Sequence, residues 1–253
     1  MSECSQCDGT GWRPVEKNGV RAVEVCSCRR HVQDEAWWME QARIPRGFWE
    51  IGTNEPMDFA HFYPLGKQSL QRALIKARGF ADRYPMIDRG LFFLGNPGVG
   101  KTHLTVAILK QLMMEKGVHC LFCSYQELLR QIRDSYNPVA LSTESEVVRP
   151  VLETDVVAID DLGAERISDW VEDTVTYILN YRYTQKKITI LTSNLPDIPE
   201  EVKERSPSGR RPAGDTLTQR IGIRVRSRLY EMCELIPIHA DDFRQKVRAR
   251  DDT

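Results

Sequence analysis

Apolar residues recur along this chain in two alternating patterns: short continuous runs, and longer stretches in which they return every three or four positions. The runs GLFFLG, VHCLFCSY, VVAIDDL, KITILTSN and ELIPIH predict buried strands. The stretches between and before them predict helices, which include residues 67–83, THLTVAILKQLMMEKG, QELLRQIRDSY, SDWVEDTVTYILNYRYT and TLTQRIGIRVRSRLYEM. Strands that alternate with helices are typical of a parallel sheet covered on both faces, so the pattern predicts an α/β fold.

The first part of the chain has a different pattern. Residues 1–32 are rich in Cys, Gly and Arg with little apolar periodicity, and residues 33–44 predict a short helix that ends at Pro45. We therefore expect two domains, a small module over 1–45 and a larger α/β domain over 46–253. The segment RSPSGRRPAGD (205–215) predicts a mobile basic loop that carries Arg205, Arg210 and Arg211.

Composition narrows the class of protein. Hydrophobic residues make up 41% of the chain and the formal charge is -1, which excludes a surface coated in positive charge. Contact with nucleic acid would have to come from a local patch. No apolar stretch is long enough to span a membrane, and the start of the chain lacks a secretory pattern. We expect a cytoplasmic protein, in which seven cysteines are better explained by metal binding or burial than by disulfides.

A phosphate-binding loop is the most specific motif. GNPGVGKT fits G-x-x-x-x-G-K-[ST], follows an apolar strand and opens a helix, which is the context that the motif requires. Its backbone N–H groups would wrap the phosphates, Lys101 would reach the β- and γ-phosphates, and the Thr102 hydroxyl would bind Mg²⁺. The predicted nucleotide-binding residues are Gly95, Asn96, Pro97, Gly98, Val99, Gly100, Lys101, Thr102 and His103.

Polar side chains follow two further strands. VVAIDDLGAE places Asp160 to hold Mg²⁺ and Asp161 to orient and deprotonate an attacking water. LTSN would bring Asn194 to the same carboxyl edge of the sheet, beside the γ-phosphate. The alternatives are a pair of acids that cap a helix, and a simple turn after a strand.

Four cysteines near the start have metal-ligand spacing. Cys4 and Cys7 form a C-x-x-C pair, and Cys26 with Cys28 can complete a tetrahedral Zn²⁺ site, with His31 as an alternative ligand. No open coordination position is indicated, so the predicted site is structural. Cys120 and Cys123 are also three apart, but they lie in a predicted strand and should belong to the core.

The motifs together resemble a known family. GLFFLGNPGVGKTHL, IDDLGAERISDW, LNYRY and LTSNL are similar to segments of the DnaC-type helicase-loader ATPases of the AAA+ superfamily, over about residues 45–250. IstB-type transposition ATPases are close relatives. The resemblance implies an α/β P-loop AAA+ (ASCE) fold behind a small zinc-binding module, and Mg²⁺-dependent hydrolysis of ATP to ADP and phosphate. It also places Asn194 at the sensor 1 position.

The resemblance extends to residues outside the phosphate site. IGIRVRSRL is similar to the segment that carries the arginine finger, which puts Arg228 against the ATP of a neighbouring subunit, with Arg224 on the same face. ADDFRQKV puts the sensor 2 role on Arg244. These two arginines complete the predicted catalytic set and imply self-association. Ser168 and Trp170 fall on positions that touch single-stranded DNA, although Ser168 also suits a helix N-cap and Trp170 a core position.

The function implied is ATP-dependent loading of a DnaB-type replicative helicase onto single-stranded DNA, with docking through residues 1–45. The alternative is an IstB-like ATPase that acts on duplex DNA with a transposase; such proteins usually lack a zinc module. A third hypothesis is an AAA+ clamp or adaptor that binds ATP and hydrolyses little. Asp161 argues against it, although many family members carry Glu at the general-base position.

Overall fold

The computed structural model describes residues 12–17, 20–25, 35–48, 50–51, 55–135, 144–165, 168–197 and 215–243. The strands are β1 Trp12–Lys17, β2 Val20–Val25, β3 Glu50–Ile51, β4 Glu55–Pro56, β5 Gly90–Gly95, β6 Cys120–Ser124, β7 Val156–Asp160, β8 Ile188–Ser193 and β9 Cys233–Ile238. The α-helices are α1 Glu35–Gln41, α2 Gln68–Arg83, α3 Lys101–Lys116, α4 Tyr125–Ser135, α5 Glu144–Glu153, α6 Asp169–Thr184, α7 Leu217–Ile221 and α8 Ile223–Met232.

A five-stranded parallel sheet in the order β6-β7-β8-β5-β9 forms the centre of the larger domain. The predicted parallel α/β sheet with flanking helices is therefore confirmed. The strand order reverses at β5, which lies between β8 and β9 although β6 follows it in the chain. Ligands of open α/β sheets bind at such a switch point, outside the carboxyl ends of the strands.

The inner strands β5 and β7 are buried on both faces because they are apolar in consecutive positions. On β5, Leu91 and Phe93 pack into one core cluster, while Phe92 and Leu94 pack into the other. Successive side chains of a strand point to opposite faces, so one run of four apolar residues supplies both layers. Helix α3 carries buried residues on nearly every side, which fixes its amino-terminal end against the sheet.

The segment that leads into the domain covers one outer strand. Met39 of α1, Ala42 and Ile44 are buried in the main core cluster, which is the one that contains Leu91 and Phe93. The Phe122 N–H of β6 donates to the Ala42 carbonyl at 2.7 Å. Glu35 pairs with Lys110 of α3 at 2.5 Å. Helix α1 is therefore packed on the α/β domain, and it is shorter than the helix predicted over 33–44.

Antiparallel strands β1 and β2 form a hairpin in which Trp12 lies opposite Val25. The predicted zinc ligands Cys4, Cys7, Cys26 and Cys28, with His31, lie outside the described residues. Within the described ranges, no group of His, Cys, Asp and Glu has the arrangement of a metal site, and no helix there is long and apolar enough to cross a membrane.

Two predictions about helices were wrong or incomplete. The single helix predicted over 216–232 is two helices, because Gly222 has φ 80° and ψ 157°, which is not helical. Thr216 and Gln219 form a capping box that begins α7 just before this break. Helix α5, with Pro150 inside it, was not predicted. Cys120 is buried and Cys123 half-buried in β6 with free thiols, as expected for core residues.

Candidate nucleotide site

The P-loop connects β5 to α3 at the switch point of the sheet. Lys101 is the first residue of α3 and is only 5% exposed. Its ammonium donates to the carbonyls of Gly95 and Asn96 at 2.9 Å each and to Asn194 Oδ1 at 2.6 Å. The charged end of Lys101 is therefore held inside the loop whose backbone would wrap the phosphates.

Asn194 joins this lysine to the second acid. Its Oδ1 accepts from Lys101, and its Nδ2 donates to Asp161 Oδ1 at 2.8 Å. The orientation of the amide is fixed, because an ammonium can only donate and a carboxylate can only accept. Asp161 has a left-handed φ of 57°, which turns the chain away from β7, and its side chain lines the cavity beside the P-loop.

Asp160 lies deeper, at the end of β7. The hydroxyl of Thr192 donates to Asp160 Oδ1 at 2.7 Å, and the hydroxyl of Thr102 lies 3.1 Å from both carboxylate oxygens. Burial raises the pKa of Asp160, and the charge of Asp161 adds to this, although the hydrogen bonds from Thr192 and Thr102 oppose it. Hydroxyl and carboxylate oxygens are the ligands that Mg²⁺ prefers, so Thr102 and Asp160 fit the predicted ion.

A cavity of about 190 Å³ lies beside the P-loop, whose residues form part of its wall. Its wall combines P-loop residues with apolar side chains from the chain before α2, from α2 itself and from the chain after β9, namely Phe48, Met57, Phe62, Leu65, Leu70, Ala240 and Phe243. A cavity that is lined both by phosphate-binding groups and by apolar side chains suits a nucleotide, whose base is flat and largely apolar.

The chain after β9 contacts the P-loop directly. Phe243 N–H donates to the Gly98 carbonyl at 3.1 Å. A Cβ at Gly98 would lie 1.7 Å from Asp242 Oδ1, so a side chain there would displace Asp242. Glycine suits position 98 because its positive φ of 76° is a backbone conformation that other residues rarely adopt. Arg244, the predicted sensor 2 residue, lies just beyond the described part of the chain.

The three arginines of α8 point to different surroundings. Arg228 Nε donates to Asn180 Oδ1 at 2.9 Å, its guanidinium lies 4.4 Å from the centre of the Tyr183 ring, and it pairs with Glu231. Arg226 pairs with Asp197 at 2.6 Å, and Arg224 is exposed. Neither Arg224 nor Arg228 lines the cavity of its own chain.

The two predicted DNA-contact residues stand at the start of α6. Ser168 is exposed and its hydroxyl accepts from the Val171 N–H at 3.3 Å as the N-cap of the helix. Trp170 is half-buried against the core cluster that contains Phe92 and Leu94. The Arg133 guanidinium lies 5.2 Å from the centre of the Trp170 ring. Both side chains thus have structural contacts, and DNA binding by them stays a prediction.

Comparison with known proteins identifies the family. The model of the protein family described as "IstB-like ATP binding protein" matches residues 80–250. The chain belongs to this family. Among family relatives, the replicative helicase loader DnaI of Bacillus subtilis (strain 168) is 33% identical over 116 residues, which is 46% of this chain and 35% of DnaI. The aligned region thus spans about a third of that loader.

Solved structures agree with this assignment. A crystal structure of the DnaC helicase loader is 34% identical, with a TM-score of 0.57, and the match covers 72% of this chain and 97% of that one. AMPPCP-bound DnaA from Aquifex aeolicus has the same TM-score of 0.57 at 18% identity, over 77% of this chain and 54% of DnaA. The DnaA match supports the fold alone. The predicted resemblance to helicase loaders of the IstB/DnaC family is confirmed.

Sequence reasoning missed two parts of this family member's site. Thr192 was not assigned a role, yet its hydroxyl donates to Asp160 and accepts from the Asp161 N–H at 2.9 Å. Thr192 lies in the LTSN motif, two positions before Asn194, and this position could have predicted that its side chain lies near the two acids. The wall formed by residues 57–65 was also missed, because a loop without periodicity gives no sequence sign of what it packs against.

Proposed function

We propose that this protein is an ATP-dependent loader that places a DnaB-type replicative helicase on single-stranded DNA and hydrolyses ATP at interfaces between its own subunits. The observation that carries the ATPase part is the continuous set of contacts from Lys101 through Asn194 to Asp161, next to Asp160 and Thr102. Relatedness to DnaI and DnaC supports the loader part.

Each residue of this set has a distinct role in the proposed reaction. The P-loop amides and Lys101 bind the phosphates and offset their negative charge. Thr102 and Asp160 would hold Mg²⁺, which supplies further charge stabilisation when it is bound. Asp161 orients a water and accepts its proton as the water oxygen attacks the γ-phosphorus and the β–γ bridging oxygen leaves with ADP. Asn194 keeps the Asp161 carboxylate in position.

Arginines from two sources would complete the site. Arg228 reaches the nucleotide of a neighbouring copy, and Arg244 reaches the nucleotide of its own chain. The proposal for Arg228 is supported by its place on the outer helix α8, where it does not line the cavity of its own chain. A finger supplied in trans would make hydrolysis depend on assembly.

Single-stranded DNA would pass the start of α6, where Trp170 offers a flat ring and Ser168 a hydroxyl. Stacking of a base on an aromatic ring is worth about 1–3 kcal/mol and has little sequence preference. The contact between Trp170 and Arg133 places a positive charge beside the ring, which suits a nearby phosphate.

The module over residues 1–45 would bind the helicase and hold one structural Zn²⁺. The hairpin supports the zinc proposal because Cys26 directly follows Val25, the partner of Trp12, so the two cysteine-bearing segments join the same end of the hairpin. Metal analysis should find about one zinc per chain, and Cys4→Ser should lower it. Cys123→Ser is the matched control, because burial in the sheet raises the pKa of Cys123 to about 12 and disfavours the thiolate. A folded wild-type protein without zinc would contradict the site.

The decisive experiment measures the mass of complexes with the DnaB-type helicase of the same organism, with and without ATP. A co-complex that is lost when residues 1–34 are removed supports the loader function. The truncation ends before Glu35 because Met39, Ala42 and Ile44 belong to the main core, and retained ATP binding by the shortened protein controls for folding. A wild-type protein that never binds the helicase would contradict the proposal.

The alternative is an IstB-like ATPase that assembles on duplex DNA with a transposase, and the family description favours keeping it. ATP-dependent polymers on duplex DNA in the same experiment, without a helicase complex, would establish this function and leave the ATP site unchanged.

A further inference from the structure

The turn over residues 57–63 contacts the P-loop region through the Asp58 carbonyl and the Phe62 ring. His103 Nε2 donates to the Asp58 carbonyl at 2.7 Å, and the ring of His103 meets the ring of Phe62 edge-on with centres 5.2 Å apart. A Cβ on Gly100 would lie 2.7 Å from Phe62 Cε2. Burial lowers the pKa of His103, so the neutral ring stays a fixed donor to this turn. The turn therefore has a defined position beside the P-loop.

Within the turn, Asp58 fixes the ring of His61. Asp58 Oδ1 accepts from the N–H groups of Ala60 at 2.8 Å and His61 at 2.9 Å, and lies 2.7 Å from His61 Nδ1. A carboxylate only accepts hydrogen bonds, so Nδ1 carries a proton. In the neutral imidazole the other nitrogen, Nε2, then presents a lone pair as an acceptor.

His61 lines the same cavity as the P-loop residues and the apolar wall. Its side chain is 33% exposed, so it is available to a ligand. Lys67 and Asp241 also line the cavity, but they are more exposed and pair with each other at 3.7 Å. Tyr63 is half exposed. His61 differs from these three in that a carboxylate holds its ring in one orientation.

We propose that His61, positioned by Asp58, selects adenine over guanine by accepting a hydrogen bond from the exocyclic amino group at position 6 of the base. Adenine offers an N–H donor at that position, whereas guanine offers a carbonyl oxygen, which would face the lone pair of Nε2. The inference rests on the proposed ATP site, and it assigns to this site a preference that the P-loop cannot supply, because the P-loop contacts phosphates only.

The test compares the affinities of ATP, GTP and purine riboside 5′-triphosphate, which is ATP without the amino group. Wild-type protein should bind ATP about 2- to 13-fold more tightly than the purine analogue, as expected for one neutral hydrogen bond. His61→Ala should bring that ratio to about 1, with GTP binding less affected. His61→Lys, which can only donate, should shift the preference toward GTP. His119→Ala, an exposed histidine beside Trp38, is the matched control and should keep the wild-type ratio.

Equal binding of ATP and the purine analogue by the wild type, or an unchanged ratio in His61→Ala, would overturn base selection by His61 while leaving the ATP site intact. Failure of the wild type to bind any of the three triphosphates would instead contradict the proposed ATP site itself.

Discussion

One hydroxyl organises both acids of the site. Thr192 donates to the Asp160 carboxylate and accepts from the Asp161 backbone, so it sets the position of the buried acid and the turn that presents the exposed one. A hydroxyl can do both because it carries a donor and acceptor lone pairs. Burial of the Asp160 carboxylate carries a cost in folding free energy, because burial disfavours its charged form.

We expect Asp160→Asn to raise the thermal stability of the protein at pH 7.5 in the absence of Mg²⁺ and nucleotide, while hydrolysis is lost. Burial raises the pKa of Asp160 in the folded state. At a pH below the unfolded-state pKa both states are protonated, and stability falls as the pH rises through the folded-state pKa, because the buried group then ionises. Each kcal/mol recovered corresponds to about 2–4 °C in Tm.

Thermal unfolding at pH 7.5 and pH 4 checks this prediction. The gain from Asp160→Asn should shrink at the lower pH. Asp88→Asn removes an exposed carboxylate and should show no such pH dependence. A variant that is less stable than the wild type at pH 7.5 would show that the ionised carboxylate is not a cost to the fold.

At the scale of elements, a buried arginine joins α6 to its neighbours. Arg182 is 0% exposed and donates to the carbonyls of Val151 and Thr154 at 2.8 Å each, to Thr189 Oγ1 at 2.9 Å, and to the Ile188 carbonyl. Burial lowers its pKa to about 10, so it stays charged near neutral pH. One side chain thereby supplies hydrogen-bond donors to backbone carbonyls at the end of α5 and at the start of β8.

Arg182→Met should lower the free energy of unfolding by about 2–5 kcal/mol, because several buried carbonyls would lose their donor at once. Urea unfolding measures the change. Arg72→Met, an exposed position on α2, is the control and should stay within about 0.5 kcal/mol of the wild type. A loss of that small size for Arg182→Met would mean that water or a rearranged backbone replaces the guanidinium.

The sequence predicted the central strands well and the last helices less well, for identifiable reasons. Strand β5 was predicted with its observed bounds because its apolar run ends at glycines. The region 216–232 has helical spacing throughout, and the break at Gly222 depends on contact: a Cβ there would lie 2.4 Å from the Glu172 carboxylate of α6. Likewise Lys101, Asp160, Asp161 and Asn194 came from motifs, whereas Thr192 and His61 matter only through the neighbours that the fold gives them.

At the scale of the whole molecule, the proposed finger is held by its own chain before it meets a neighbour. Asn180 and Tyr183 of α6 orient Arg228 on the surface of α8. A guanidinium held in this way loses less side-chain freedom when it binds a phosphate. The outer face of α6 and α8 is therefore the surface that we expect to contact the next ATP site.

Arg228→Ala should keep ATP affinity but reduce hydrolysis by about 10³-fold or more, the range seen for fingers of GTPases. Mixing it with Lys101→Ala protein should restore part of the activity, because some interfaces then combine an intact P-loop with an intact finger. The matched control mixes Arg228→Ala with the double variant Lys101→Ala/Arg228→Ala, which offers no intact finger. Equal steady-state ATPase rates in the two mixtures would exclude a finger that acts in trans.

The covered edge of the sheet also limits how copies can join. On the outer strand β6, the Phe122 N–H is already paired with the Ala42 carbonyl. On the opposite outer strand β9, Pro237 has no N–H to donate. Interruptions of this kind discourage strand-to-strand growth between molecules, the route by which exposed edges lead to aggregation. We therefore expect copies of this protein to contact each other through side chains of their helices. Such an assembly can dissociate without breaking hydrogen bonds between β-strands.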